Sequence, residues 1–196
     1  MNLTEDRACG LIMDHERIRR GLCLPRYTPV GWWECDVFEL TGSGDFREYE
    51  VKLSLADFRK DAIKSRSVRG LDWSNRDRPI ELKHDLLARG HPSGPAEFAF
   101  VVPAGMITEQ DVPQWAGLIE IHRQEVGPEY STRVPTFYLR TVRAAPRLHR
   151  EKADDKIRPH VLSVCYYRLH DALRALRNSQ PLATEPDVGP VEEILQ

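Results

Sequence analysis

The sequence predicts an α/β domain: a central mixed sheet of four to five strands, flanked by helices. Three observations carry that expectation. Trp32 to Ser54 reads as two β-rich runs joined by the turn Gly42-Ser43-Gly44. Glu97–Val102 and Leu118–Ile121 are short apolar runs separated by a short helical segment, an order that calls for parallel or mixed pairing. Amphipathic helical patterns stand near both ends of the chain.

In order, residues 4–22 pattern as a helix. Thr4 can cap it, Glu5 and Asp6 suit its first turn, and Ala8, Leu11, Ile12, Ile18 and Leu22 recur at helical spacing. Gly21 and Pro25 close that region. Residues 29–41 form a first strand, rich in Trp32, Trp33, Val37, Phe38 and Leu40, and Phe46 to Ser54 is the return strand. Ser54-Leu55-Ala56-Asp57 is a variant of the capping box, so a helix starts where that strand ends. Phe58, Ala62 and Ile63 give it an apolar stripe. Residues 65–95 are too polar and charged for core and read as an inserted loop, with a short helix from Ile80 to Leu87 and a Trp73 that packs the loop or stacks on bases. Thr108 caps a short helix, and residues 134–144 offer a further strand that Pro135 makes peripheral. From Pro159 a good amphipathic helix follows. Residues 1–178 are thus expected to be one domain, and 179–196 a flexible, acidic tail.

An apolar fraction of 41% is enough for a real core, and 30% charged residues argue against a membrane span. The first residues are interrupted by charges, unlike a signal peptide, so a cytoplasmic location is expected. Cys9, Cys23, Cys35 and Cys165 show no CxxC spacing and read as reduced, small, semi-apolar residues. None of the scattered histidines falls into an HExxH pattern; His84 and His91 read as loop surface. A net charge of −2 means that any nucleic-acid contact rests on local patches. Two stand out: Arg59, Lys60, Lys64, Arg66 and Arg69, then Arg133, Arg140, Arg143, Arg147 and Arg150.

Strand side chains alternate faces, so Glu34 and Asp36 share one face of the first strand, and Glu48, Glu50 and Lys52 one face of the second. Carboxylates brought together at the edge of a core are costly unless a cation neutralises them. A hard divalent ion such as Mg²⁺ is the simplest neutraliser. An acidic residue on one strand followed by Glu50-Val51-Lys52 on the next resembles the PD-(D/E)xK, restriction-endonuclease-like nuclease superfamily. The segment YEVKLSLADFRKD further resembles its MmcB-like DNA-repair and phage branch; the likeness covers about residues 30–65. Cys35 stands where that family often has proline.

The resemblance implies a metal-dependent DNA endonuclease acting in repair or in phage or mobile-element DNA processing. It makes Asp36 and Glu50 ligands to Mg²⁺ or Mn²⁺, together with the Val51 carbonyl. Lys52 orients the attacking water or stabilises developing charge; held between carboxylates, it should stay cationic. Glu16 and Glu34 are additional candidates, and the first basic patch would meet DNA. Many nucleases of this kind dimerise so that two sites cut two strands, so the resemblance leaves a homodimer open. The alternative is a catalytically inactive nuclease-fold module that binds DNA or protein. Two plainer readings compete: a surface ladder of ion pairs among Arg47, Glu48, Glu50 and Lys52, or an accidental triplet with Asp36 and Glu50 pointing apart.

Overall fold

The structure, a computed structural model, describes residues 2–17, 21–63, 65–66, 81–126, 134–153 and 157–179. By internal contacts the chain divides into two units, 1–158 and 159–196. The first holds α1 (Glu5–Arg17), β1 (Leu22–Tyr27), β2 (Cys35–Leu40), β3 (Phe46–Val51), α2 (Leu55–Asp61), β4 (Ser65–Arg66), β5 (Glu81–Leu82), α3 (Lys83–Ala88), β6 (Glu97–Pro103), β7 (Gly117–Val126) and β8 (Val134–Arg143). The described part of the second belongs to a 23-residue helix, α4 (Ile157–Ser179). No helix among the described residues is long and apolar enough to cross a membrane.

Six strands form one mixed sheet in the order β1-β2-β3-β6-β7-β8. β1, β2 and β3 form an antiparallel meander. β3, β6 and β7 run parallel, and β8 returns antiparallel at the far edge. The α/β class with a mixed, helix-flanked sheet is as expected, but the strand count is six rather than four or five. The additional strand is β1. Its Pro25 suggested the close of a helix, yet β1 is an edge strand, where a residue without an N–H costs no interior ladder bond. Pro135 lies in the opposite edge strand for the same reason. β2 also starts later than the sequence suggested: Trp32 and Trp33 precede it.

The β2–β3 hairpin closes as the glycines predict. Thr41 N–H donates to the Asp45 carbonyl and Gly44 N–H to the Thr41 carbonyl, with Gly44 at φ 83, a conformation that suits glycine. Asp45 is anchored by Arg147 at 2.6 Å and Lys152 at 2.8 Å. The Ser54 hydroxyl accepts the Asp57 N–H, as the capping pattern required. Thr108 closes a capping box with Asp111 around a 3₁₀ turn, Glu109–Asp111.

The sheet is covered on both faces. On one, Ala8, Cys9 and Ile12 of α1 pack on Val37, Tyr49, Val51, Ala99, Val101 and Ile121. On the other, Phe98 and Phe100 of β6 meet Trp115 and Phe58 of α2, with ring centroids 5.5 Å (Phe98–Trp115) and 5.0 Å (Phe58–Phe100) apart. α2 and α3 lie over that second face, and it carries the charged residues.

Candidate active site

β2 and β3 pair with Val37 opposite Tyr49 and Phe38 opposite Glu48. Continued by one residue, that register sets Asp36 beside Glu50 on the same face. The Asp36 carboxylate also reaches β3 directly: its Oδ2 accepts the Val51 N–H at 2.7 Å. The accidental reading, with Asp36 and Glu50 turned apart, is therefore disfavoured. Lys52 follows at the end of β3, its N–H still bonded to the Val101 carbonyl of β6.

These groups are interior rather than surface. Glu48 and Glu50 are 0% exposed and Lys52 3%. A surface ladder of ion pairs does not describe them. Lys52 Nζ lies 2.7 Å from Glu50 Oε1 and 3.0 Å from Asp61 Oδ1. Asp61, on the last turn of α2, bonds His84 Nε2 at 2.8 Å through its other oxygen. Lys83, the first residue of α3, is fully buried, with Nζ 2.6 Å from Glu48 Oε1 and 2.8 Å from Glu50 Oε2. The second Glu48 oxygen accepts Trp32 Nε1–H at 2.7 Å. Gly94 makes room for that indole: a Cβ there would lie 2.6 Å from the Trp32 ring.

The electrostatics follow from burial and these partners. Desolvation opposes the charged form of Lys52, but Glu50 and Asp61 outweigh it and hold its pKa above the ordinary lysine value. Glu48 and Glu50 do the same for buried Lys83. Burial pushes Glu48 upward and Glu50 adds to it; Lys83 and Trp32 hold it down, and the net direction is up. Three buried carboxylates (Glu48, Glu50, Asp61) thus share two ammonium groups (Lys52, Lys83), with Asp36 beside Glu50 on the neighbouring strand.

Of the sequence-predicted residues, Asp36, Glu50, Val51 and Lys52 come together. Glu34 is exposed just before β2. Glu16 lies near the end of α1, and its side chain is outside the described residues, as is that of Arg66. Lys64, Arg69, Trp73 and Arg133 fall wholly outside them. Arg59 and Lys60 are exposed on α2, the helix that brings Asp61 to Lys52. In the later arginine group, Arg143 is committed to structure: it donates to the carbonyls of Glu109, Val112, Pro113 and Ala116. Arg147 is paired with Asp45.

Sequence reading missed Lys83, His84, Asp61 and Trp32 as members of the site. Lys83 and His84 fall in the stretch taken for an exposed loop, yet His84 is half-buried on Asp61. The available signal was Leu86-Leu87, which continues an amphipathic turn and places Lys83, three and four residues earlier, on the buried side.

A metal ion is implied by the resemblance. Mg²⁺ is commonly held by one or two carboxylates completed by water. Asp36 and Glu50 on one face, with a main-chain carbonyl at Val51, are donors of that kind, and Lys52 and Lys83 occupy the two Glu50 oxygens in the ion's place. Among the described residues no group of three or more His, Cys, Asp or Glu is arranged as a metal cluster.

The fold this geometry sits on has a solved counterpart. The SPO1766 protein of unknown function from Silicibacter pomeroyi is similar to it with a TM-score of 0.54 at 17% identity, over 93% of this chain and 99% of that one. The likeness shows a shared fold and nothing of activity. No family model and no curated protein match the chain.

Proposed function

We propose that the chain is a metal-dependent, PD-(D/E)xK-type DNA endonuclease of the restriction-endonuclease-like group, with its centre at Asp36, Glu50 and Lys52. The observation that carries this reading is the meeting of Asp36 with the end of β3, beside a Glu50 already bonded to Lys52. Asp36, Glu50 and the Val51 carbonyl would hold Mg²⁺ or Mn²⁺. When bound, such an ion lowers the pKa of a coordinated water and offsets charge on the phosphate. Lys52 remains protonated at neutral pH, so it serves as a fixed positive charge beside the phosphate rather than as a base. Asp61 and Glu50 hold its ammonium in place. Arg59 and Lys60, exposed on the same helix as Asp61, would contact the DNA backbone. The setting for such work is cytoplasmic, in repair or phage and mobile-element DNA processing, and a homodimer would present two sites to two strands.

A panel of labelled linear, nicked, flap and junction DNA, with RNA controls, tests it in Mg²⁺, Mn²⁺ or EDTA. Wild type should cut in metal and not in EDTA. Asp36→Ala and Lys52→Ala should each lose about a hundredfold or more, the scale of removing one electrostatic stabiliser. Equal cutting by wild type and both variants defeats the assignment.

A second reading draws on Lys83. With lysines on both oxygens of Glu50, the fold can stand as a DNA- or protein-binding module without catalysis. It predicts binding to the same panel that neither EDTA nor Asp36→Ala changes.

A further inference from the structure

Lys83 is a buried cation of this cluster that, like its partner Glu48, the proposed chemistry does not use. It lies outside the Glu-x-Lys triplet, on a different element, and nothing exposes it to solvent. Its ammonium bridges Glu48 and Glu50 at 2.6 and 2.8 Å. The ammonium also lies over the Phe98 ring, with Nζ 5.3 Å from its centroid. Trp32 fixes Glu48 from the other side, so the bridge is held at both ends.

We infer that Lys83 is a tethered counter-cation that sets how strongly the site takes up a divalent ion. The inference rests on the nuclease reading for the identity of the ion's ligands, Asp36 and Glu50. Lys83 orients Glu50 and cancels part of the charge that would attract the metal. Glu48 tempers this, because it shares the ammonium and draws it away from Glu50. The two residues therefore act on metal affinity in opposite directions. Removing Lys83 leaves Glu48 without that ammonium and Glu50 with Lys52, so a bound metal ion meets more uncompensated negative charge than in wild type. Removing the charge of Glu48 leaves Lys83 wholly to Glu50, and the metal must compete with it. A residue that merely held the fold would weaken binding in both cases.

Titration calorimetry with Mn²⁺ on the full chain reads this directly, without any cleavage. Lys83→Met, close in volume, should bind Mn²⁺ about tenfold tighter than wild type, well within the reach of a unit charge at this range. Glu48→Gln, whose amide oxygen can still accept from Trp32, should bind about tenfold more weakly. Circular dichroism establishes that each variant is folded; should Lys83→Met not fold, Lys83→Gln, which removes the charge but keeps a polar group between Glu48 and Glu50, carries the test and should likewise bind Mn²⁺ more tightly than wild type. Shifts of the same sign, no shift, or no Mn²⁺ heat in any folded variant overturn the inference. The nuclease reading is judged separately by cleavage with Asp36→Ala. Tight binding by Lys83→Met with none by wild type would uphold the role of Lys83 and remove the metal-dependent reading: the lysine would then have taken the metal's place.

Discussion

The two faces of β3 are both closed to water, by opposite means. On one, Tyr49 and Val51 meet Ala8, Cys9 and Ile12 of α1 in an apolar layer. On the other, Glu48, Glu50 and then Lys52 meet Lys83 and Asp61. The apolar face is held by many small contacts, each of which can be weakened alone. The charged face has no such gradation. Every ion there is tolerable only because its partner is present, and the cost of desolvating it is met by a few short contacts. A protein gains little stability from burying ions instead of leucines. The charged face is thus better explained by what it can do than by what it stabilises.

The sharpest way to break this contrast is to remove one partner. Lys83→Met leaves Glu48 and Glu50 facing each other in the interior with Lys52, among the described residues, as the ammonium still paired to Glu50. We expect a loss of about 3–5 kcal/mol, the cost of orphaning a buried charge, measured by urea unfolding. A loss under about 1 kcal/mol would mean that the site is wetter, or its carboxylates more readily protonated, than its burial implies.

Trp32→Phe is a milder cut into the same face. It removes the N–H that Glu48 Oε2 accepts at 2.7 Å and, with it, the outer indole atoms that lie against Gly94. Hydrogen bonds to charged groups are worth about 1.5–3 kcal/mol, and the loss should be at least that, with the space left by the smaller ring adding to it. Combined with Glu48→Gln, the effect of Trp32→Phe should shrink, since the bond no longer ends on a charge. A double-mutant cycle in denaturant reads that coupling, and strict additivity would separate Trp32 from the ionic network.

The same contrast governs what was legible in the sequence. The hairpin, its glycine turn and the Ser54 cap were legible because each is a local signal of a few adjacent residues. Asp36, Glu50 and Lys52 were legible because strand alternation and one hairpin suffice to bring them together. Lys83 was not: its partners lie 33 and 35 positions away, and only the packing of α3 over β3 and β6 joins them. A lysine in a charged stretch reads as surface wherever nothing local says otherwise. β1 was hidden by the reverse error. Pro25 and Gly21 are strong local punctuation, yet an edge strand accepts the first, and the second is needed because a Cβ there would lie 2.6 Å from Glu39 Oε1.

The apolar face supplies the control for all of this. Ile12 of α1 is completely buried in the layer over Val37, Tyr49 and Val51. Ile12→Val deletes one methylene and strands no polar group. The expected loss is about 0.5–1.5 kcal/mol, measured in the same urea titration. Because β3 is shared, the measurement also tests whether its two faces are mechanically independent. If they are, Ile12→Val lowers stability while leaving Mn²⁺ affinity and cleavage as in wild type. A change in either would mean that α1 sets the position of Glu50 through the backbone of β3, and the two faces would have to be treated as one device.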